Sequence, residues 1–294
     1  MYISLYPNNN MQNFTPKQVS KPCFMGVKQG ADIFVSTAKT AGGQNFAKGF
    51  SISSPHLSTY TTSEIIDLSK PRRFEFINDE IKSQEVKLIV DFNPKETGQI
   101  YDRKTGEPID VFIVKAHDTR SESIDSFHFF SKDLQKEYGY VDLDKDYSHH
   151  CYDMEKDYPE LGIAGDRIIV DWLENSKESF VSGVGRLADK VAVKYCMDND
   201  ITPNIISMPG YESHIAHYKR GKRFIPPQQG EREYEFLMNT YGNPNPNEVL
   251  EKLIKDSEET GEKADISKWC EYMFTIYLPK NLVEKYKREI MSQG

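Results

Sequence analysis

The sequence predicts an α/β (α+β) fold: a mixed, mostly antiparallel central sheet flanked by helices, preceded by an N-terminal extension. Three observations predict it. Residues 166–208 read as strand, glycine turn, amphipathic helix and second strand, with almost no spare residues. Residues 86–143 hold short runs rich in β-branched and aromatic side chains, separated by turn residues. Cys270 to Leu278 (CEYMFTIYL) adds a late strand and Lys280 to Met291 a closing helix. At 294 residues, with 38% apolar and 12% aromatic side chains, the chain can bury a core.

Taken in order, residues 1–80 form the extension and 81–294 the main domain. The opening NNNMQN is polar, Asp32 to Ser36 reads as a strand, and Ala41-Gly42-Gly43 as a turn. Val86 to Phe92 (VKLIVDF) is the first strand of the main domain. Tyr101 to Gly106 is a hairpin turn, followed by strands at Ile109 to Ala116, Ser126 to Ser131 and Tyr138 to Leu143. Together they make a meander. Beyond the central stretch, Glu231 to Tyr241 reads as a helix, and Asn247 is the expected N-cap of another through Val249, Leu250, Leu253 and Ile254. Ser257 to Lys263 reads as a charged loop. Residues from about 231 to 263 are therefore a helical stretch.

The central stretch carries the chemistry. Ile168, Ile169, Val170, Trp172 and Leu173 make one strand. Val184, Leu187, Ala188, Val191 and Tyr195 share one helical face, and Arg186, Asp189, Lys190 and Lys194 lie off that stripe, where water is expected. Pro203 stops the helix, and Ile205, Ile206 and Met208 begin a second strand. At the first corner stand Gly183-Val184-Gly185. A helix starting there presents unpaired N–H groups and the positive end of its dipole, with Ser182 as the expected N-cap. Two glycines let a bulky anion approach the backbone, which makes the corner a pyrophosphate cradle. The alternative is a glycine pair serving only a tight turn. No acidic residue ends the next strand as a dinucleotide fold requires, and no G-K-[ST] follows.

This order of elements, with a later short helix carrying a Tyr followed by Gly and Phe, resembles the GNAT family of acyl-CoA N-acyltransferases. The resemblance covers about sixty residues closely. Gly183 and Gly185 match the last two defined positions of the family's [QR]-x-x-G-x-[GA] turn, whereas Phe180 stands where Gln or Arg is found. Tyr218-Lys219-Arg220-Gly221 and Phe224 stand for the family's Y-x-x-x-G-F, with shifted spacing. The resemblance implies a GNAT-like acyltransferase domain over 81–294, with the helical stretch at about 231–263 as an insertion, that takes acetyl-CoA as acyl donor and a primary amine as acceptor. Ser182, Gly183, Val184, Gly185 and Arg186 would then hold the cofactor's pyrophosphate. Asp171 and Glu174, on the strand before the turn, are the candidate bases for the acceptor ammonium, and Tyr218 the candidate acid for the departing thiolate. Lys219, Arg220, Lys222 and Arg223 form a basic run that either reaches the phosphates or is a solvated face.

Other classes are constrained by composition. A formal net charge of −8 without a like-charge block argues against nucleic-acid binding. No apolar run approaches membrane-spanning length and Met1 to Asn10 lacks a signal-peptide pattern, so a cytoplasmic protein with free thiols at Cys23, Cys151, Cys196 and Cys270 is expected. No metal is expected. His214 and His217 lack the H-E-x-x-H pattern and read as flanking Tyr218. Two alternatives stay open: a GNAT-like protein that binds acyl-CoA without turnover, and a hydrolase using Cys151 with His149 or His150.

Overall fold

Ten strands pair into one sheet in the computed structural model, in the order β10 (Val181–Ser182), β5 (Val86–Asp102), β6 (Pro108–Asp118), β7 (Ile124–Ser131), β8 (Glu137–Asp144), β9 (Arg167–Asn175), β11 (Asn204–Ser207), β13 (Ile276–Tyr277) and β12 (Arg223–Phe224), with β4 (Arg72–Asn78) added beside β5. The structure describes residues 32–39, 45–54, 57–78, 86–119, 123–134, 136–145, 167–175, 180–210 and 213–292. The expected turn at Ala41 to Gly43 and the His149-His150-Cys151 cluster lie outside them, as do Cys23 and Cys151. The architecture is mixed α/β, a mostly antiparallel sheet flanked by helices.

β1 (Asp32–Lys39), β2 (Asn45–Ser54) and β3 (Leu57–Asp67) form a separate three-stranded antiparallel sheet. β4 (Arg72–Asn78) already belongs to the main sheet, through its pairing with β5, so that sheet begins upstream of residue 80. β5 (Val86–Asp102) is longer than the VKLIVDF run. Its register on β6 (Pro108–Asp118) breaks between Phe92 and Thr97, where Pro94 has no N–H for the ladder and Asn93 Oδ1 accepts from the Lys95 N–H at 3.0 Å. β7 (Ile124–Ser131) and β8 (Glu137–Asp144) complete the expected meander, and β8 pairs antiparallel with β9 (Arg167–Asn175).

β9 is not regular. Asp142 pairs with Trp172 and Leu143 with Val170, which leaves Asp171 as the extra residue of a β-bulge. β9 also runs parallel to β11 (Asn204–Ser207), from Arg167 opposite Asn204 to Val170 opposite Ser207. Between them lies helix α1 (Val184–Asp198), whose Val184, Leu187, Ala188, Val191 and Tyr195 are buried as the spacing predicts. They meet Val141, Leu143, Ile168 and Val170 of the sheet, and Val283 and Tyr286 of the closing helix α5 (Lys280–Met291), in one apolar core. Burial of this face supplies the main drive for the arrangement.

After β11 come the short helix α2 (His214–Lys219) and β12 (Arg223–Phe224). Helices α3 (Arg232–Tyr241) and α4 (Pro246–Thr260) then build a second core on Phe224, Leu237, Leu250, Trp269 and Phe274. Three boundaries differ from the sequence reading. Asn245, not Asn247, caps α4, because Pro246 takes the first helical position and the Asn245 side chain accepts from the Asn247 N–H. The helix runs through Ser257 to Thr260, since Gly261 at φ 74° supplies the left-handed C-cap. Of Cys270 to Leu278 only Ile276–Tyr277 is strand (β13); Ser267–Glu271 winds as a 3-10 turn that drives Trp269 into the second core, where Nε1 donates to Tyr241 Oη at 3.1 Å.

Candidate functional site

Seven residues separate the end of β9 from the glycines, and the chain uses them to change position in the sheet. β10 (Val181–Ser182) pairs with Tyr101 and Asp102 of β5, at the sheet edge remote from β9. The helix start therefore lies over β5, and α1 crosses the sheet toward β11. Ser182 is not the N-cap: it is held in β10, its hydroxyl 3.5 Å from the Tyr101 carbonyl, while Gly183 caps at φ 91°. Only a residue without a β-carbon adopts that conformation cheaply, and Tyr101 Cδ2 lies 3.2 Å from where that carbon would stand.

Val184 and Gly185 are buried, and Arg186 is exposed. Arg186 and Lys190 share the carboxylate of Glu289 on α5, with Arg186 Nη2 2.9 Å from it. Lys194 pairs with Asp198 at 2.5 Å and with Glu96 at 3.7 Å. These cations, with Lys95, Tyr101 and Gly183, line a groove of about 530 Å³ between β5 and α1. Its lining carries four cations, Lys95, Arg186, Lys190 and Lys194, and two carboxylates, Glu96 and Asp110.

The opposite flank of α1 is different. Asp189, expected to face water, is buried with Lys222, the two joined at 2.8 Å with side-chain exposures of 2% and 1%. Burial pulls the Lys222 ammonium below its ordinary pKa, and Asp189 opposes that shift. Arg220, the C-cap of α2, lays its guanidinium on Gly185, where a β-carbon would overlap it. Arg220 Nη2 donates to His217 Nδ1 at 2.7 Å, and its Nε lies 4.0 Å from Asp189 Oδ2. Burial and then the neighbouring Lys222 and Arg220 push the His217 pKa well below its ordinary value. His217 is thus the neutral acceptor for Arg220, which assigns its proton to Nε2.

The basic run is split by the fold. Lys222 is buried, Arg220 reaches the glycine turn, Lys219 pairs with Glu258 at 3.2 Å, and Arg223 lies over the Tyr218 ring at 4.7 Å. Tyr218 packs against the second core, its pKa raised by burial and by Glu251. It does not join the groups at Gly185; its neighbours His217 and Arg220 do. His214 sits among Phe224, Trp269 and Phe274.

The backbone positions of Asp171 and Glu174 are four strands from β5 in the sheet order. Glu174 is the register partner of Tyr140, which in turn faces His128. Sequence reading passed over His128, which is fully buried and 2.7 Å from Glu137 Oε1. Its neighbour in the sheet, Asp142, is equally buried. Strand alternation sets His128 and Asp142 on the face opposite Phe129, Val141 and Leu143, which pack with α1, and nothing local in the sequence marks a strand histidine as buried. Phe180 is 69% exposed, with the Lys104 ammonium 5.3 Å from its ring.

Among the described residues no group of three or more His, Cys, Asp or Glu is arranged to hold a metal, and no helix is long and apolar enough to cross a membrane. Cys196 is a buried thiol whose pKa burial pushes up to about 12, and Cys270 is a half-buried thiol that donates to the Ser267 carbonyl at 3.0 Å; neither is in a disulfide. Compared with protein-family models, curated proteins and solved structures, the chain matches none.

Proposed function

We propose that this chain is an acyl-CoA-dependent N-acyltransferase of the GNAT type, holding the donor at the start of α1 and acylating a primary amine. Connectivity carries the reading. β9 and β11 are the one parallel pair among the described strands, α1 is the crossover between them, and it starts at Gly183-Val184-Gly185. An antiparallel meander precedes β9, and β13 pairs with both β11 and β12.

The residues at the turn fit a pyrophosphate. The first amides of α1 have no acceptor within the helix, Gly185 has no β-carbon, and a guanidinium stands over it. Coenzyme A, when bound, supplies the acyl group as a thioester. The free backbone amides of Val184, Gly185 and Arg186 at the start of α1 would hold its phosphates. Asp171, at the bulge, and Glu174 remain the candidate acceptors for the ammonium proton, at carboxylate oxygens on β9. A second reading, acyl-CoA binding without turnover, is favoured by one observation: the Tyr218 ring lies under Arg223, on the side of the second core.

Calorimetric titration with acetyl-CoA tests the proposal, on the wild type and on Gly185→Glu. The new carboxylate would stand beside Arg220 and occupy the anion's place. Micromolar binding by the wild type, lost in the variant, supports the reading, and an amine screen then separates transfer from binding alone. Failure of the wild type to bind acetyl-CoA or longer acyl-CoAs rejects it.

A further inference from the structure

We infer that Arg220 is the side chain that receives the anion at the glycine turn, in place of the polar residue that position 180 lacks; the inference rests on the acyl-CoA reading above. Phe180 is at the sheet edge, exposed, with a lysine over its ring, and brings no donor to the turn. Arg220 comes to the same turn from another element. Gly221, at φ 95°, turns the chain just after it, and the missing β-carbon of Gly185 makes the space its guanidinium fills.

The charge balance there is incomplete. Arg220 rests on the N-terminal turn of α1, so a cation faces the positive end of a helix dipole. Among the described residues, the two cations Arg220 and Lys222 have one carboxylate between them, and Lys222 holds Asp189 at 2.8 Å. At 4.0 Å from Asp189 Oδ2, Arg220 Nε is beyond hydrogen-bond reach. Among the described residues neither of these buried atoms has a hydrogen-bond partner. Its Nη2 bond goes to the imidazole of His217, which carries no negative charge to offset the guanidinium. A diphosphate ester would supply both the missing negative charge and acceptors for the guanidinium fork. Coenzyme A belongs to that chemical class.

The test titrates the full-length wild type, Arg220→Gln and Arg220→Lys with coenzyme A, with inorganic pyrophosphate as competitor and ligand-free melting followed alongside. Arg220→Gln should bind coenzyme A about tenfold to a hundredfold more weakly, and pyrophosphate should cease to compete, with the fold intact. A filler role for Arg220 would move melting but not pyrophosphate competition. Unchanged affinity and competition in Arg220→Gln overturns the inference and leaves the acyl-CoA reading standing. A wild type that does not bind coenzyme A overturns both. If Arg220→Gln does not fold, Arg220→Lys decides: it keeps the charge without the fork and should bind roughly threefold to tenfold more weakly, and wild-type affinity would sink the idea.

Discussion

Lys222 and Asp189 form an ion pair at 2.8 Å, both almost completely buried, between the second turn of α1 and the segment after α2. It ties the helix that crosses the sheet to the chain that returns from β11. Removing one partner would leave the other charge buried alone. Asp189→Ala is therefore expected to cost about 3–5 kcal/mol. The double change Asp189→Leu with Lys222→Met should cost less than either single truncation, because it removes both charges. Chemical denaturation of Asp189→Ala, Lys222→Ala and the double variant checks this; additive losses in the double variant would contradict it.

Why that pair escaped the sequence is physical. The heptad-like stripe of α1 was legible, since Val184, Leu187, Ala188, Val191 and Tyr195 repeat at helical spacing and all are buried. Asp189 lies off the stripe, and its burial depends on Lys222, which periodicity within one helix does not register. The strands of the meander were legible from their β-branched and aromatic runs between turn residues, but the shift of the glycine turn to β5 was not. It depends on the pairing of only Val181 and Ser182 with β5. Likewise, Cys270 to Leu278 has the composition of a strand, yet Ser267–Glu271 winds as a 3-10 turn that buries Trp269 in the second core, and only Ile276–Tyr277 is extended in the ladder. The turn itself was read from Gly183 and Gly185; the arginine that covers it was one of four basic neighbours until the fold separated them.

Gly183 should tolerate no ordinary side chain. At φ 91° an alanine is strained whatever the space around it, and Tyr101 stands close. Gly183→Ala is expected to cost about 1–3 kcal/mol. Gly183→Asn should cost less, because asparagine visits the left-handed region more readily. Adding Tyr101→Ala should not rescue Gly183→Ala, since the strain is in the backbone. Thermal melts rank the three, and full rescue by the tyrosine change would show that crowding governs instead.

Asn247 clamps α4 to β12. Its Oδ1 accepts the Phe224 N–H at 2.9 Å and its Nδ2 donates to the Phe224 carbonyl at 2.8 Å, the two bonds a neighbouring strand would make. Asn247→Ala leaves both backbone groups unpaired, at a cost of about 2–4 kcal/mol. Asn247→Asp keeps the acceptor, loses the donor and should cost about half as much. Equal losses for the two variants would mean that only the donated bond counts.

Two histidines should shape the pH dependence from opposite sides. His217 is buried neutral, with its pKa held below the ordinary 6.5 by burial, then by Lys222, Arg220 and His214. The unfolded chain therefore binds the proton first, and stability falls as pH drops below 6.5 toward the folded value. His117 is the reverse. Its Nδ1 lies 3.1 Å from Asp125 Oδ1, and that carboxylate raises its pKa above the ordinary 6.5. Its contribution is complete below 6.5 and is lost as pH rises through the folded value. Asp125 itself, held low by His117, Lys115 and Tyr195 against the cost of burial, loses its contribution only as pH falls beneath the ordinary 3.8. Denaturation between about pH 5 and pH 8 should then show a maximum near the middle of that range. His117→Asn should flatten the alkaline limb alone and His217→Asn the acid limb alone. If one substitution flattened both limbs, the two groups would be coupled through the core, contrary to their separate settings on β6 and α2.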